Sequence, residues 1–400
     1  REDRMSETAG VSATIRPNDM STVLCQVART NMAVCKEEGN TLSKKGIMFL
    51  GANGVGKTHA CREAVDVLAK EVYGMDTVVD YHRSGFKHAD PSKGEFGLIL
   101  FDPSTWDEWD LTMPKVTEEY YKKMLLELFP KDPNWKGAIV IDEFAKNYNL
   151  FKCWSQIVTA GVLDDWLVPE HALIVLMGNR EGDNSSSHSA TDDLTSRTKR
   201  FTVVNDSTGF LEYEGHSLHP IIIACCKYFG DDFAFTQARE QEQNPGEPFA
   251  TARTLKGLSN DMIHSGMTIK DPIAYASVIG TIGLMAGQTL WQVWQTAEDW
   301  GDLDGLIDNP DDPENRDKIA EMRDADNEGL HAIRVISMMV ALSQRLTHDH
   351  TQFDKFAVFV RNFGAEQRVA FYYLAQKANP KVRNEAEFAK IITDNQHYYF

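Results

Sequence analysis

Residues 47–58 read Ile-Met-Phe-Leu-Gly-Ala-Asn-Gly-Val-Gly-Lys-Thr, and the reading of this stretch decides the fold. A short apolar run, Ile47–Leu50, enters a loop with glycines at 51, 54 and 56, followed by Lys57 and Thr58. A helix-compatible sequence runs on from His59 to about Lys70. The spacing fits G-x-x-x-x-G-K-[ST] between a strand and a helix, the context in which such a loop cradles phosphate. Glycines let successive backbone N–H groups converge on an anion, and the helix N-terminus adds the positive end of its dipole. Gly51, Ala52, Asn53, Gly54, Val55, Gly56, Lys57, Thr58 and His59 are therefore the candidate nucleotide-binding residues. Lys57 would reach the β- and γ-phosphates of ATP, and the Thr58 hydroxyl would be a ligand of Mg2+. The competing reading is a tight strand-to-helix turn that uses glycine only for its positive φ.

With 400 residues, 42% of them hydrophobic, the chain can bury the cores of two or three domains. No stretch approaches the ~18 apolar residues of a membrane span, and the polar start, Arg1–Thr8, is not followed by the apolar run of a signal peptide. The six cysteines, at 25, 35, 61, 153, 225 and 226, show no C-x-x-C spacing, so a reducing, cytoplasmic compartment is expected. The formal net charge of −18 opposes a nucleic-acid backbone, and the one compact basic cluster is Arg197, Lys199 and Arg200.

Residues 1–19 are expected to be a flexible arm, and Met20–Val34 carries apolar residues at helical spacing. Further strands are expected at Asp76–Tyr81, Gly97–Phe101, Gly137–Phe144, Ala172–Met177 and Phe201–Val204. Helices are expected at Glu118–Phe129, Trp154–Gly161 and Asp192–Arg197. Uninterrupted apolar strands alternating with helices imply an α/β fold, a parallel sheet covered by helices on both faces. Ligands of such sheets bind beyond the carboxyl ends of the strands, where the phosphate loop, Asp142-Glu143 and Asn179 all fall. From about Leu218 the pattern turns helical: Pro220–Phe229, Ala252–Ile263, Pro272–Gly287, Leu290–Glu298, Asp317–Met322, His331–Leu346, Asp354–Phe363 and Ala365–Lys377. The acidic stretch Gly301–Asp317 has Asp-x-Asp spacing without the glycine and closing Glu of a calcium loop in register, and reads as a solvated loop.

Asp142 and Glu143 end a buried strand. An aspartate there helps hold Mg2+, and the adjacent glutamate is placed to take the proton of an attacking water. Asn179, after the next strand, could orient that water, although an Asn-capped turn is the alternative. Arg197 is the candidate arginine finger, a cation opposite the γ-phosphate supplied by a neighbouring subunit, with Arg200 as its local competitor. A basic surface cluster is the plainer reading of both. His348-Asp349-His350 has metal-like spacing but lacks an identifiable third ligand.

In this order, G-A-N-G-V-G-K-T (51–58), I-V-I-D-E-F (139–144), V-L-M-G-N-R-E-G-D (175–183) and L-T-S-R-T-K-R-F (194–201) resemble the AAA+ ATPases. The match is to the MoxR-like, dynein-related branch, particularly its short versions in bacteriophage and bacterial genomes. Gly178, Asn179, Arg180 and Asp183 match that branch's motif after the sensor strand, and Leu167-Val168-Pro169 and Leu218-His219-Pro220 match two further short elements. The stretch F-A-T-A-R-T-L (249–255) approximates the lid motif, with Ala250 and Ala252 where the family has proline. By this resemblance, which covers residues 20–395, Arg253 would be the sensor-2 arginine. Phe86 or Phe96 would be the candidate pore aromatic, although aromatics are more often packed.

The resemblance implies a P-loop (AAA+) nucleotide-binding domain at 20–210, a helical lid at 211–268 and an all-helical C-terminal extension at 269–400. It implies a ring homo-oligomer, a hexamer, that binds ATP with Mg2+ between subunits and remodels a protein partner in a chaperone-like role. A von Willebrand factor A-type protein is the partner it points to. The alternatives are an ATPase in a nucleic-acid transaction (loader, helicase or packaging accessory), against which the acidity counts, and an ATP-gated assembly module. Asp142-Glu143 counts against the last.

Overall fold

The computed structural model describes residues 13–38, 46–116, 121–180, 192–243, 245–298, 303–324, 330–388 and 390. The chain forms two units, Arg1–Asn205 and Asp206–Phe400. The first opens with β1 (Thr14–Ile15), α1 (Met20–Glu38), β2 (Gly46–Leu50) and α2 (Lys57–Tyr73). Next come β3 (Thr77–Asp80), β4 (Glu95–Phe101), α3 (Glu108–Leu111) and a hairpin of β5 (Thr112–Val116) and β6 (Tyr121–Leu125). They are followed by β7 (Lys136–Ile141), α4 (Phe151–Thr159), a second hairpin of β8 (Val162–Leu163) and β9 (Trp166–Leu167), β10 (His171–Gly178), α5 (Asp192–Arg197) and β11 (Thr198–Val203).

Seven strands make one parallel sheet in the order β1-β11-β2-β10-β7-β4-β3. Its central strands are apolar throughout because both faces are covered, and their side chains alternate between two cores. On β2, Ile47 and Phe49 pack with α1 and α2, whereas Met48 and Leu50 pack with α4. On β7, Val140 faces the first core and Ile139 and Ile141 the second; on β10, Val175 and Met177 face the first and Ile174 and Leu176 the second. The expected parallel sheet flanked by helices is therefore present.

Three expectations within this unit change. Thr14 and Ile15, read as part of a flexible arm, pair in parallel with Thr202 and Val203 and extend the sheet by one strand. Residues 121–125, inside the expected helix Glu118–Phe129, form β6 against β5 instead. Tyr-Lys-Lys-Met-Leu suits either period locally, and the adjacent Thr112–Val116 supplies a partner that decides for the strand. Phe96 is buried in β4, with its ring 4.9 Å from that of Tyr73, so it packs rather than lining a pore.

The second unit is helical: α6 (Ser207–Glu214), α7 (Pro220–Phe229), α8 (Asp231–Ala234), α9 (Gln237–Gln243), α10 (Ala252–His264), α11 (Ala274–Ile282), α12 (Leu284–Glu298), α13 (Leu303–Asp308), α14 (Pro313–Asp324), α15 (Leu330–His348), α16 (Phe353–Val360) and α17 (Ala365–Ala378). One core runs through all of it, from Phe210 and Ile221 through Leu255 and Val278 to Met338, Phe353 and Phe371. The expected lid (211–268) and extension (269–400) thus contribute to a single hydrophobic core. The expected solvated loop 301–317 is helical over α13, because Leu303, Leu306 and Ile307 share one face and are buried. The expected helix Pro272–Gly287 breaks at Gly283, whose φ is 82° and whose added Cβ would lie 2.3 Å from the Pro248 carbonyl. The break is sealed by the fully buried Glu240, whose carboxylate accepts from Leu284 N at 3.0 Å and Met285 N at 3.2 Å at the start of α12.

Candidate functional site

The loop between β2 and α2 owes its shape to its glycines. Gly54 (φ 75°) and Gly56 (φ 100°) take left-handed conformations that favour glycine. Gly51 meets a different constraint: a Cβ there would lie 2.3 Å from the carbonyl oxygen of Val203. Its N–H donates to Gly178 O at 3.1 Å, continuing the sheet ladder. Val55 is buried, and its carbonyl accepts from Asn205 Nδ2 at 3.2 Å. Ala52 and Asn53 are half-buried within the loop. The bond from Ala60 N to Gly56 O is the first rung of α2, so the N–H groups of Lys57, Thr58 and His59 precede the helix ladder. The His59 ring is exposed, 3.9 Å from the Glu63 carboxylate, so this side chain faces along the helix surface.

Lys57 is buried, at 7% exposure, an uncommon place for a lysine without acceptors. Its Nζ donates to Gly51 O at 2.7 Å, Ala52 O at 2.9 Å and Asn179 Oδ1 at 3.2 Å. The Thr58 hydroxyl donates to Asp142 Oδ2 at 2.7 Å, and Asp142 Oδ1 accepts from Glu143 N at 3.0 Å. Asn179 Nδ2 donates to Glu143 Oε2 at 3.2 Å. Thr58, Asp142, Glu143, Asn179 and Lys57 therefore form one continuous hydrogen-bonded chain built from three strand ends. The sheet order is the cause. β10 lies between β2 and β7, which puts Asn179 between the lysine after one strand and the carboxylates after the other.

Glu143 is one of three described non-glycine residues at positive φ, with φ 52° and ψ 28°. That conformation costs an L-residue about 1–2 kcal/mol, and such outliers concentrate at functional sites. The neighbouring Cys61 is fully buried. Burial, with the Asp142 charge adding to it, pushes its thiol up to about 12. Arg62, on the next turn of α2, pairs with Asp80 at the end of β3.

Thr58 Oγ1 and the Asp142 carboxylate are both hard oxygen donors beside the glycine-rich loop. Two protein oxygens suit Mg2+, which keeps several waters and takes substrate phosphates as its remaining ligands. No group of three or more His, Cys, Asp or Glu able to hold a metal occurs among the described residues. At 348–350, Asp349 instead accepts from Thr351 N at 3.1 Å and caps a short turn.

Within the first unit, Arg197 and Arg200 lie apart from these five residues. Arg197 is exposed at the end of α5, just before the register pair Thr198–Gly46. It therefore sits at the amino end of the sheet, whereas the glycine-rich loop leaves the carboxyl end. Strand rise separates the two by roughly 15 Å. Arg200 is exposed on β11 opposite Met48. Arg253 is exposed in the first turn of α10, and Asp183 lies outside the described residues. The two alanines in place of prolines do not loosen that helix start, because Thr251 and Thr254 form a capping box. Phe86 is 65% exposed, at φ 63°.

Two contributors escaped the reading of the sequence. Asn205 braces the loop from just beyond β11, where the strand-end rule already pointed. Lys146 Nζ lies 3.4 Å from Glu143 Oε2, and its signal was a lone lysine three residues after the glutamate.

No protein-family model matches the chain, and no curated protein matches it. Among the described residues, no helix is long and apolar enough to cross a membrane.

Proposed function

We propose that this chain is an ATP hydrolase of the AAA+ kind. The observation that carries the reading is the Asn179 amide, which joins the buried Lys57 ammonium to the Glu143 carboxylate at 3.2 Å on each side. A loop used only as a turn would not need a buried ammonium, a hydroxyl–carboxylate pair and a second carboxylate arranged in series at one sheet edge.

The loop N–H groups bind phosphate oxygens, and Lys57 offsets their charge. Thr58 and Asp142 would hold Mg2+, which when bound neutralises charge on the phosphates. Glu143 accepts the proton of the attacking water, and Asn179 holds that water and the carboxylate in register. Arg197, too far from its own chain's loop to serve it, would act on a neighbour's ATP in a ring, a hexamer by the family resemblance. By the family resemblance, Arg253 would be the sensor-2 arginine. The output would be remodelling of a protein partner, and the net charge of −18 disfavours a nucleic-acid backbone in that place.

The test is ATP turnover and ATP binding by the full chain and by Glu143→Gln. The expected result is binding retained with turnover reduced about 10²–10⁴-fold. Unchanged turnover in the variant removes Glu143 as the base, and absence of ATP binding in the parent chain overturns the reading as a whole.

A further inference from the structure

We propose that Lys146 is a positioning residue that fixes the Glu143 carboxylate with one oxygen anchored and the other presented to water. The inference rests on the ATP-hydrolase reading and adds a residue to it.

Lys146 closes the 3-10 turn Phe144–Lys146, and its N–H donates to Glu143 O at 3.0 Å. The turn brings the Lys146 ammonium to 3.4 Å from the Glu143 carboxylate. The turn is not free to swing. Phe144 and Ala145 between them are buried, with the Phe144 ring 5.9 Å from that of Phe151. The same ring lies so close to Gly178 that a Cβ there would meet it at 3.3 Å.

The hydrogen-bond donor and the ion-pair partner of the carboxylate meet the same atom. Asn179 Nδ2 is 3.2 Å and Lys146 Nζ 3.4 Å from Glu143 Oε2. Neither of these closest approaches is to Oε1. Asn179 is a neutral donor whose other end is already engaged with Lys57. The Lys146 ammonium therefore adds an ion pair that helps hold Oε2 against the torsional freedom of a long side chain on a left-handed backbone. With Oε2 held, the proton acceptor is Oε1 alone, in one direction. An exposed ion pair adds little to stability, and Lys146 is 34% exposed, so what this pair supplies is read in the rate rather than in the fold.

The experiment is steady-state ATP turnover and equilibrium ATP binding by the full chain, comparing Lys146→Met, Lys146→Arg and Glu143→Gln. Misplacing a reacting group by about 1 Å can cost 10²-fold. Lys146→Met is expected to lower kcat about 10–100-fold with ATP affinity within about twofold, and Lys146→Arg to recover most of the loss. The proposal is overturned if Lys146→Met turns over at the parent rate or faster while Glu143→Gln is inactive. It is also overturned if ATP affinity falls as far as kcat, or if Lys146→Arg rescues nothing. Parent-like turnover by Glu143→Gln is a different result, which removes the general base itself.

Discussion

Asn179 Nδ2 donates to Glu143 Oε2 at 3.2 Å, across the ends of two adjacent parallel strands. The amide oxygen of the same side chain faces the Lys57 ammonium. A carboxylate on one side and an ammonium on the other leave only one sensible orientation of the amide. The bond therefore reports a built relationship between the Lys57 end and the Glu143 end of the candidate site.

Asn179→Asp keeps an acceptor for Lys57 but removes the donor to Glu143 and sets a second carboxylate against it. Turnover is expected to fall about 10²-fold, with ATP affinity changing much less. Steady-state kinetics beside an ATP titration read the two separately, and equal losses in both would assign Asn179 to binding alone.

Arg197 sits at the opposite end of the sheet from its own chain's loop, so if the proposed ring forms, its contribution is expected to be exchangeable between subunits. Arg197→Ala is expected to lower turnover about 10³-fold, and Lys57→Ala to abolish it. Mixing the two inactive variants should restore measurable hydrolysis, because one supplies an intact loop and the other an intact arginine. A mixture as inactive as its components argues against a shared site, and full activity of Arg197→Ala alone removes the residue from the mechanism.

Stability should carry a pH signature from the helical unit. His219 Nδ1 accepts from Ile221 N at 3.4 Å at the start of α7, and burial pulls its pKa down to about 4 from 6.5. Between those values the unfolded chain binds more protons than the folded one. Its contribution is thus complete above about pH 6.5 and is lost as pH falls, by about 1.4 kcal/mol per pH unit, levelling off near pH 4. Urea midpoints between pH 4 and 7 should show this limb, and His219→Asn, which still caps the helix, should flatten it. Superimposable profiles would reject His219 as the source.

Two glycines should respond in opposite directions. Gly51→Ala drives a Cβ to 2.3 Å from the Val203 carbonyl, which the backbone must move to avoid. It is expected to cost about 1–3 kcal/mol and to weaken ATP binding. Gly257, inside α10, has nothing within 4 Å of an added Cβ, and Gly257→Ala should stabilise by about 0.5–1 kcal/mol through helix propensity. Chemical denaturation distinguishes the two, and a neutral Gly51→Ala would mean that β11 does not constrain the loop.

Local patterning accounts for much of this molecule. The spacing of Gly51, Gly54, Gly56, Lys57 and Thr58 located the loop, and the apolar runs ending at Ile141 and Gly178 located the strands whose ends carry Asp142, Glu143 and Asn179. These were legible because a strand buried on both faces must be apolar along its length, so the first polar residues after it stand out. Leu303, Leu306 and Ile307 also carried helical spacing, but the surrounding Asp and Pro residues obscured it.

What only the tertiary structure decided were the relationships that depend on which strand lies next to which. Nothing local in Tyr121–Leu125 chooses strand over helix until Thr112–Val116 pairs with it. Nothing local in Gly283 reveals that Pro248 and Glu240 require it. The placing of β10 between β2 and β7 turned three separate strand ends into one hydrogen-bonded chain, and a turn held down by Phe144 brought Lys146 onto Glu143. Sequence determined which side chains stand at the carboxyl edge, because alternation and burial are local requirements. Their order along that edge was left to the packing of the whole sheet, because hydrogen-bonded neighbours in a parallel sheet are distant in sequence.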